Sequence, residues 1–294
     1  MAITRPLLRY HGGKWLLAPW IISHFPPHRV YVEPFGGAAS VLMQKPRSYG
    51  EVYNDLDGEI VNLFRVLRDA GSANELRNLL ELTPFSREEY RASFFESAQP
   101  IEQARRTVIR SFMGFGSNSL NRNIKSGFRS NSNRSGTTPA HDWVNWPEQI
   151  SKYVDRLRGV VIENKDAAGV IRQHDSVETM IYADPPYCQE TRMTVTQHGA
   201  HGYAHEMTTE DHRALAEVLR AVAGMVVLSG YACPLYDDEL YSDWARVERP
   251  ALADDALPRT EVVWLNQACA MALDRQRAQG KLLLIDHHAQ PHSP

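Results

Sequence analysis

The tetrapeptide Asp184-Pro185-Pro186-Tyr187 is the part of the sequence best suited to chemistry. It follows the run from Thr179 to Ala183, which is typical of a buried strand, and its prolines end that strand with a preset backbone. Neither proline has an N–H group, so the segment presents two acceptors, the Asp184 carboxylate and the Pro185 carbonyl. The sequence therefore predicts a site for a planar amine, whose hydrogens meet these oxygens while its ring stacks on Tyr187.

A glycine turn earlier in the chain predicts a nucleoside site. Residues 30–33 are typical of a strand, and they end at the turn Pro34-Phe35-Gly36-Gly37, where backbone N–H groups can approach a ligand. Asp55 follows twenty positions after Phe35, at the end of the next predicted strand, where a carboxylate can accept from ribose hydroxyls. The later glycine of a dinucleotide fingerprint is missing, so a nucleoside without a pyrophosphate, such as S-adenosylmethionine, fits better than NAD.

The order of the predicted elements is that of an α/β protein. Strand, glycine turn, helix, strand, acidic residue and helix follow one another from Val30 to Asp69, which is the opening of a mostly parallel sheet. Further strand patterns lie at 160–163, 179–183, 225–229 and 261–265. Residues 208–222 predict an amphipathic helix that begins with a capping box. We expect a Rossmann-like catalytic and cofactor-binding domain from residues 1–70 and 158–294, with residues 261–265 in the core of its sheet.

Residues 71–157 interrupt this pattern and predict a helical insertion. Between Gln103 and His141 the sequence has seven basic residues and no acidic one. These basic residues are Arg105, Arg106, Arg110, Arg122, Lys125, Arg129 and Arg134. Residues 114–138 are rich in Gly, Ser and Asn, and a loop of that length in a folded protein is usually either functional or disordered.

Composition and charge exclude several classes of protein. The chain has 294 residues, of which 43% are hydrophobic and 23% charged, as in ordinary globular proteins. Its 35 acidic and 32 basic residues give a net charge of -3, which argues against a purely electrostatic nucleic-acid binder. We find no apolar leader and no apolar run long enough for a membrane span, so we expect neither a secreted nor a membrane protein. Three widely separated cysteines indicate a reducing, cytoplasmic setting.

Two features that suggest other chemistry are interpreted differently. His198, His201 and His205 have spacings that a zinc site could use, but the segment lacks a fourth ligand. We therefore expect no metal and interpret the segment as a loop over the substrate. Cys188 follows Tyr187 and has no base partner in the sequence, so we interpret it as a residue that lines the pocket.

Five segments together resemble one enzyme family, the Dam-like, α-class N6-adenine DNA methyltransferases. The segments are Arg9-Tyr10-His11-Gly12-Gly13-Lys14, Glu33-Pro34-Phe35-Gly36-Gly37, Tyr53-Asn54-Asp55, Asn164-Lys165-Asp166 and Asp184-Pro185-Pro186-Tyr187. They occur in the order of that family, with the basic insertion between the cofactor half and the catalytic half. The chain departs from the family at Tyr10, where Trp is frequent, and at Ala39, where Gly is frequent.

The resemblance implies S-adenosyl-L-methionine as the methyl donor, with Asp55 on its ribose and Asp166 on its adenine amine. The implied cofactor residues are Tyr10, Gly12, Gly13, Lys14, Glu33, Pro34, Phe35, Gly37, Asp55 and Asp166. The implied catalytic residues are Asp184, Pro185 and Tyr187, which would hold the N6 amine of an adenine flipped out of duplex DNA. No metal is required, because the sulfonium is already an activated donor.

The basic insertion is the part of the chain that the resemblance assigns to DNA. We expect the phosphate or base contacts to come from Arg122, Lys125, Arg129 and Arg134. Phe112, Phe115 and Phe128 are interleaved with these basic residues and could wedge into the space that the flipped base leaves.

Two alternatives stay open at this point. The first is a methyltransferase that acts on RNA adenine or another planar amine, although Asp rather than Asn at position 184 weighs against a protein glutamine. The second is an inactive DNA-binding regulator with the same fold. Four intact residues argue against it: Lys14, Asp55, Asp184 and Tyr187. A cognate restriction endonuclease is a partner that such enzymes can have in a prokaryotic or phage setting. The oligomeric state also stays open.

Overall fold

Seven strands form one sheet in the part of the chain that the computed structural model describes, which is residues 3–122, 126–131, 136–188, 205–252 and 258–288. The strands are β1 (Val30–Glu33), β2 (Gly50–Asn54), β3 (Val160–Glu163), β4 (Thr179–Ala183), β5 (Met225–Tyr231), β6 (Ala245–Leu252) and β7 (Pro258–Leu265). The prediction of an α/β fold with a mostly parallel sheet is confirmed, since β1 to β5 pair in parallel and β7 alone is antiparallel to its neighbours β5 and β6.

Eleven α-helices accompany the sheet within the same described ranges. They are α1 (Ala18–Ile22), α2 (Ser40–Gln44), α3 (Gly58–Arg68), α4 (Ala70–Leu82), α5 (Arg87–Ala92), α6 (Pro100–Met113), α7 (Pro139–Val144), α8 (Ile150–Leu157), α9 (Ala167–His174), α10 (Thr209–Ala221) and α11 (Gln267–His288). The predicted capping box of α10 is present between Thr208 and Asp211. None of the helices in these ranges is both long enough and apolar enough to cross a bilayer.

The strand order β3-β2-β1-β4-β5-β7-β6 determines where a ligand can bind. The chain runs outward from β1 to β2 and β3 on one side and from β4 to β5 on the other, so the order reverses between β1 and β4. Ligands of open α/β sheets bind beyond the carboxyl ends of the strands at such a reversal. All five of these strands end at the same edge, because neighbouring pairs among them are parallel.

The edge strand β6 is the one strand that the sequence pattern did not predict. Its sequence, Ala245 to Leu252, contains Arg246, Glu248, Arg249 and Pro250, which breaks the apolar alternation that reveals a half-buried strand. Proline and charge are tolerated there because an outer strand pairs on one side only.

The turn after β1 requires its two glycines. Gly37 has a φ of +47°, in the left-handed region, and a Cβ atom there would lie 2.8 Å from the Tyr10 ring. A Cβ atom on Gly36 would enter the ring of Tyr53, which is fully buried and stacks on Phe64 at 4.2 Å between centroids. Ala39 also has a left-handed φ, +52°, which gives a physical reason for the glycine that is frequent there in the family it resembles.

The inserted helices share a hydrophobic core with one face of the sheet. Val108 of α6 and Trp146 belong to the same buried cluster as Tyr53 of β2. A buried ion pair ties the end of the insertion to the sheet, because Arg156 of α8 binds both carboxylate oxygens of Glu51 at 2.6 and 2.9 Å. The predicted division into residues 1–70 with 158–294 and residues 71–157 stays a prediction.

The Gly36→Ala variant should be strongly destabilised. Its Cβ atom would stand 2.9 Å from Cζ of Tyr53 and closer still to two other ring atoms, and this ring is fully buried and stacked on Phe64. We expect a loss of about 2–3 kcal/mol of unfolding free energy, measured by urea denaturation. Gly127→Ala is the matched control, because a Cβ atom there meets nothing within 4 Å. Equal stabilities of the two variants would contradict the packing that we describe for the turn.

Candidate active site

A cavity of about 430 Å³ lies at the carboxyl edge of the sheet, around the reversal between β1 and β4. Its volume is in the range of small-molecule sites. The structure brings all ten predicted cofactor residues into its lining: Tyr10, Gly12, Gly13, Lys14, Glu33, Pro34, Phe35, Gly37, Asp55 and Asp166. Asp184 and Pro186 line the same cavity, whereas Pro185 and Tyr187 are buried beside it. That these residues bind and react as predicted stays a prediction at this point.

Asp55 is held by the turn that it faces. Its Oδ2 accepts from the N–H of Gly37 at 2.7 Å, and its Oδ1 accepts from the N–H of Asp57 at 2.8 Å. Burial raises the pKa of Asp55 to about 6, although these two N–H groups favour the ionised form. Each carboxylate oxygen can accept a second hydrogen bond, so Asp55 can receive two hydroxyl groups from a ligand.

Asn54 joins three of the segments that form the cavity. Its side-chain amide donates to the carbonyls of Pro34 at 2.9 Å and Lys165 at 3.1 Å, and its Oδ1 accepts from the N–H of Lys165 at 2.9 Å. These bonds fix the loop after β3 against the ends of β1 and β2. In that loop Asp166 caps α9 by accepting from the N–H of Gly169 at 3.0 Å, and its side chain is exposed toward the cavity mouth.

Glu33 is a buried acid at the end of β1. Its Oε2 accepts from the hydroxyl of Tyr31 at 2.7 Å and from the N–H of Leu42 at 3.0 Å. Burial nevertheless raises the pKa of Glu33 to about 8, so the carboxyl group is mostly protonated at neutral pH. A positive charge entering the cavity would favour its ionised form.

Asp184 lies directly after β4, where its side chain is 17% exposed. Its Oδ1 accepts from the hydroxyl of Ser229 at 2.9 Å and lies 3.2 Å from Nζ of Lys14. Burial raises the pKa of Asp184, and the ammonium group of Lys14 opposes that rise. Since both contacts are made by Oδ1, Oδ2 is the oxygen that can accept from a ligand.

Lys14 connects the N-terminal segment to the end of β4. Its ammonium group contacts Asp184, Oε1 of Glu261 at 3.1 Å, the carbonyl of Gly12 at 3.0 Å and the hydroxyl of Tyr187. Gly12 has a φ of +70°, and this left-handed turn directs its carbonyl toward the lysine. The side chain lines the cavity, and its charge is shared between two carboxylates of the protein. That Lys14 contacts the cofactor stays a prediction.

Glu261 of β7 is the residue of this site that the sequence reasoning missed. We predicted residues 261–265 as sheet core, and Glu261 is indeed buried, but it accepts from the Tyr187 hydroxyl at 2.9 Å and contacts Lys14. The signal was a single acid in front of the apolar run Val262 to Leu265, because a buried acid requires a partner. The Tyr187 ring lies against Tyr231, 4.5 Å between centroids, so stacking of a substrate on it stays a prediction.

The predictions for Cys188 and for the three histidines near the site differ in how well the structure supports them. The interpretation of Cys188 as a cavity-lining residue is wrong, because it is buried and its sulfur contacts that of Cys233 at 3.6 Å. His205 lines the cavity, while His198 and His201 lie outside the described residues. Within the described ranges no three His, Cys, Asp or Glu side chains group closely enough to bind a metal.

The basic residues of the insertion are more neutralised than their sequence suggests. Arg105 and Arg106 bind Glu102 at 2.7 Å, and Arg105 also binds Glu89 at 2.8 Å. Arg110 is fully buried and binds Glu59 of α3. These carboxylates come from outside the acid-free stretch, so the local excess of positive charge is partly compensated in the fold.

Two of the four residues predicted to contact DNA, Arg122 and Arg129, lie within the described residues. Arg122 binds Glu59 and, at 2.7 Å, Glu96, while Arg129 is partly exposed and its N–H donates to the carbonyl of Met113 at 2.7 Å. Lys125 and Arg134 lie outside the described residues. Contact between any of these four side chains and DNA therefore stays a prediction.

Among the three phenylalanines that we proposed as a wedge, Phe115 is the one whose side chain is largely exposed. Phe112 is buried against Trp146, with 5.5 Å between centroids, so the expectation is wrong for this residue. Phe128 packs on Phe85 at 5.2 Å. Phe115 has 71% of its surface exposed, and its N–H donates to the carbonyl of Gly127 at 2.7 Å, which holds it at the base of the loop.

The fold and the site together define a class of protein. A mostly parallel seven-stranded sheet with an antiparallel β7, a cavity at its reversal and an Asp-Pro-Pro-Tyr segment after β4 is the arrangement of a Rossmann-like methyltransferase. The chain belongs to the D12 class N6 adenine-specific DNA methyltransferases, whose sequence model matches residues 10–249. The resemblance seen in the five segments is thereby confirmed, and it includes DNA as the substrate class.

Individual proteins that are similar to this chain have names that match this family. Two proteins named DNA adenine methylase, from two strains of Vibrio cholerae serotype O1, are each 26% identical to the chain over 232 residues. The matched region is 76% of this chain and 78% of each relative.

Proposed function

We propose that the protein transfers the methyl group of S-adenosyl-L-methionine to the N6 amine of an adenine flipped out of duplex DNA. The observation that carries this proposal is the position of Asp184 on the same cavity as Asp55. One carboxylate can receive the amine that is to be methylated, and the other can receive the hydroxyls of a nucleoside. A cavity of about 430 Å³ has room for the reacting ends of two ligands.

The residues of the cavity fit S-adenosyl-L-methionine. Gly37 has no Cβ atom, so the ring of Tyr10 can pack directly against the turn, and both residues line the cavity. Asp55 has acceptor capacity for the ribose hydroxyls, and Asp166 is exposed where it can accept from the adenine amine. When bound, this group supplies a methyl on a sulfonium, which is activated without a metal.

Asp184 and Pro185 would prepare the amine for reaction. The lone pair of an adenine N6 amine is normally delocalised into the ring. If Oδ2 of Asp184 and the Pro185 carbonyl accept the two hydrogens out of the ring plane, the lone pair becomes localised and available to the methyl group. This acceleration consists of positioning and electrostatics, because the two acceptors are fixed by the end of β4 before the substrate arrives.

DNA must open for this geometry to be reached. A base inside a duplex cannot enter a cavity of this kind, and extruding it costs a few kcal/mol. We propose that residues 71–157 offset that cost, with Arg122, Lys125, Arg129 and Arg134 on the DNA and Phe115 in the space that the base leaves. The exposure of Phe115 supports its assignment among the three candidate phenylalanines.

The Asp184→Asn variant should lose methyl transfer while keeping its cofactor. The amide has the shape of the carboxylate but lacks its charge. Because its oxygen must take the contacts with Lys14 and Ser229, its NH2 group faces the adenine amine, from which it cannot accept. With radioactive S-adenosyl-L-methionine and adenine-containing duplex DNA, we expect the single-turnover rate to fall on the order of 100-fold or more. The dissociation constant of S-adenosyl-L-methionine, measured by calorimetry, should stay within about two-fold of wild type.

The exposed Asp274→Asn variant serves as the matched control and should keep the wild-type rate. The proposed function would be contradicted by a wild-type protein that binds S-adenosyl-L-methionine but methylates no adenine in duplex DNA. Preference for adenine in RNA under competition would instead support the RNA alternative.

Binding of S-adenosyl-L-methionine should weaken as the pH falls below about 6. The ligand hydroxyls need ionised Asp55, whose pKa of about 6 in the free protein means that acid replaces an acceptor by a proton. We expect the dissociation constant to rise about ten-fold between pH 7 and pH 5 and Asp55→Asn to bind weakly at both values. A dissociation constant for wild type that does not change over this range would rule out this use of Asp55.

The Phe115→Ala variant should be impaired only where the target base is paired. We expect methylation of fully paired duplex DNA to fall about ten-fold, because the extruded base could return to an unfilled space. A duplex with a mismatch at the target adenine lowers the cost of extrusion and should largely restore the rate. Phe95→Ala, at the same 71% exposure, should resemble wild type on both duplexes. Equal losses on paired and mismatched duplexes would show that Phe115 has another role.

A further inference from the structure

Glu261 lies at the centre of a charge arrangement that the proposed reaction does not yet explain. Two carboxylates, Asp184 and Glu261, face the single ammonium group of Lys14 at 3.2 and 3.1 Å. Lys14 and Glu261 are almost fully buried, so water does not screen this group. When ionised, these three side chains carry one positive and two negative charges.

We infer that Glu261 is a positioning residue for methyl transfer, which holds Lys14 between two carboxylates so that Asp184 keeps its strength as a hydrogen-bond acceptor. This inference rests on the proposed function. If Lys14 were paired with Asp184 alone, the ammonium group would neutralise that carboxylate more completely and weaken its attraction for the hydrogens of the amine. Glu261 draws part of the ammonium charge to itself.

The tetrapeptide is also fixed through Glu261. The hydroxyl of Tyr187 donates to Oε1 of Glu261 at 2.9 Å and contacts Lys14, so the end of the tetrapeptide is tied to β7. Glu261 pairs in register with Tyr231 of β5, and Ser229 of the same strand donates to Asp184 at 2.9 Å. The antiparallel strand β7 therefore supplies a charge at the site, and β5 supplies a hydroxyl.

Four ionisable groups of the described residues interact with Asp184 from the elements packed around it: Lys14 before α1, Glu33 at the end of β1, Tyr182 in β4 and Glu261 in β7. A fifth, Tyr187 after β4, donates to Glu261. Burial is the main reason that the pKa of Asp184 is raised, Lys14 lowers it, and the negative charge of Glu261 raises it further. Removal of that negative charge should therefore lower the pKa of Asp184.

The test measures single-turnover methyl transfer at saturating S-adenosyl-L-methionine and duplex DNA as a function of pH. Activity requires ionised Asp184, so it is lost as the pH falls through the pKa of this group. The Glu261→Gln variant keeps the size of the side chain and its ability to accept a hydrogen bond. For this variant we expect the acidic limb of the pH–rate profile to move about half a pH unit or more toward lower pH. The plateau rate should fall on the order of ten-fold because a less basic carboxylate is a weaker acceptor.

Control variants separate this role from a structural one. Glu261→Asp keeps the charge and should have the wild-type acidic limb with a plateau rate between those of wild type and Glu261→Gln. Glu248→Gln removes an exposed charge from the neighbouring strand β6 and should change neither. The dissociation constant of S-adenosyl-L-methionine should stay within about two-fold of wild type in all three variants.

Three results would overturn the inference. The first is a Glu261→Gln variant whose acidic limb and plateau rate both equal those of wild type. The second is an acidic limb of Glu261→Gln that moves to higher pH. The third is an acidic limb of Glu261→Asp that moves away from that of wild type. If Glu261→Gln does not fold, Glu261→Asp decides: a wild-type acidic limb with a lowered plateau rate supports the inference, and a wild-type plateau rate contradicts it. Failure of the proposed function gives a different result, because the wild-type protein itself would then not methylate adenine in duplex DNA.

Discussion

The site depends on keeping a carboxylate ionised at the end of a buried strand. Burial favours the protonated form of Asp184, which could not accept from an amine in the same way. The ammonium group of Lys14 opposes that tendency, and Glu261 holds the lysine without leaving it to Asp184 alone. The need for an ionised carboxylate explains why the N-terminal segment reaches the end of β4. Glu261 of β7 acts in the other direction, because its charge raises the pKa of Asp184 and limits how far Lys14 neutralises this acceptor.

The sheet brings the other residues of the site together, because its parallel strands end at one edge. Because β1 to β4 end at one edge, the residues that follow them converge without long loops, and Asn54 ties the ends of β1, β2 and β3 together. Asp55, the proposed acceptor for a nucleoside, and Asp184, the proposed acceptor for the amine, thus line the same cavity. The left-handed turn at Gly37 keeps the backbone close enough to contribute its N–H group.

The sequence was sufficient for the local features and insufficient for the pairing of charges. Apolar runs followed by Gly or Pro predicted β1, β4 and the turn after β1, because burial and backbone geometry leave local patterns. The shared partner of Arg110 and Arg122 could not be predicted in this way, since Glu59 lies more than fifty positions before either arginine in the chain. The role of Glu261 was missed for the same reason, and β6 was missed because an edge strand tolerates proline and charge.

The position of the target adenine can be determined in a crystal structure with a non-reactive analogue of S-adenosyl-L-methionine and an adenine-containing duplex. We expect a flipped adenine whose N6 lies about 3 Å from Oδ2 of Asp184 and from the Pro185 carbonyl, with Lys14 still between Asp184 and Glu261. An adenine amine held by other groups, or a Lys14 that leaves both carboxylates to bind the analogue, would contradict this expectation.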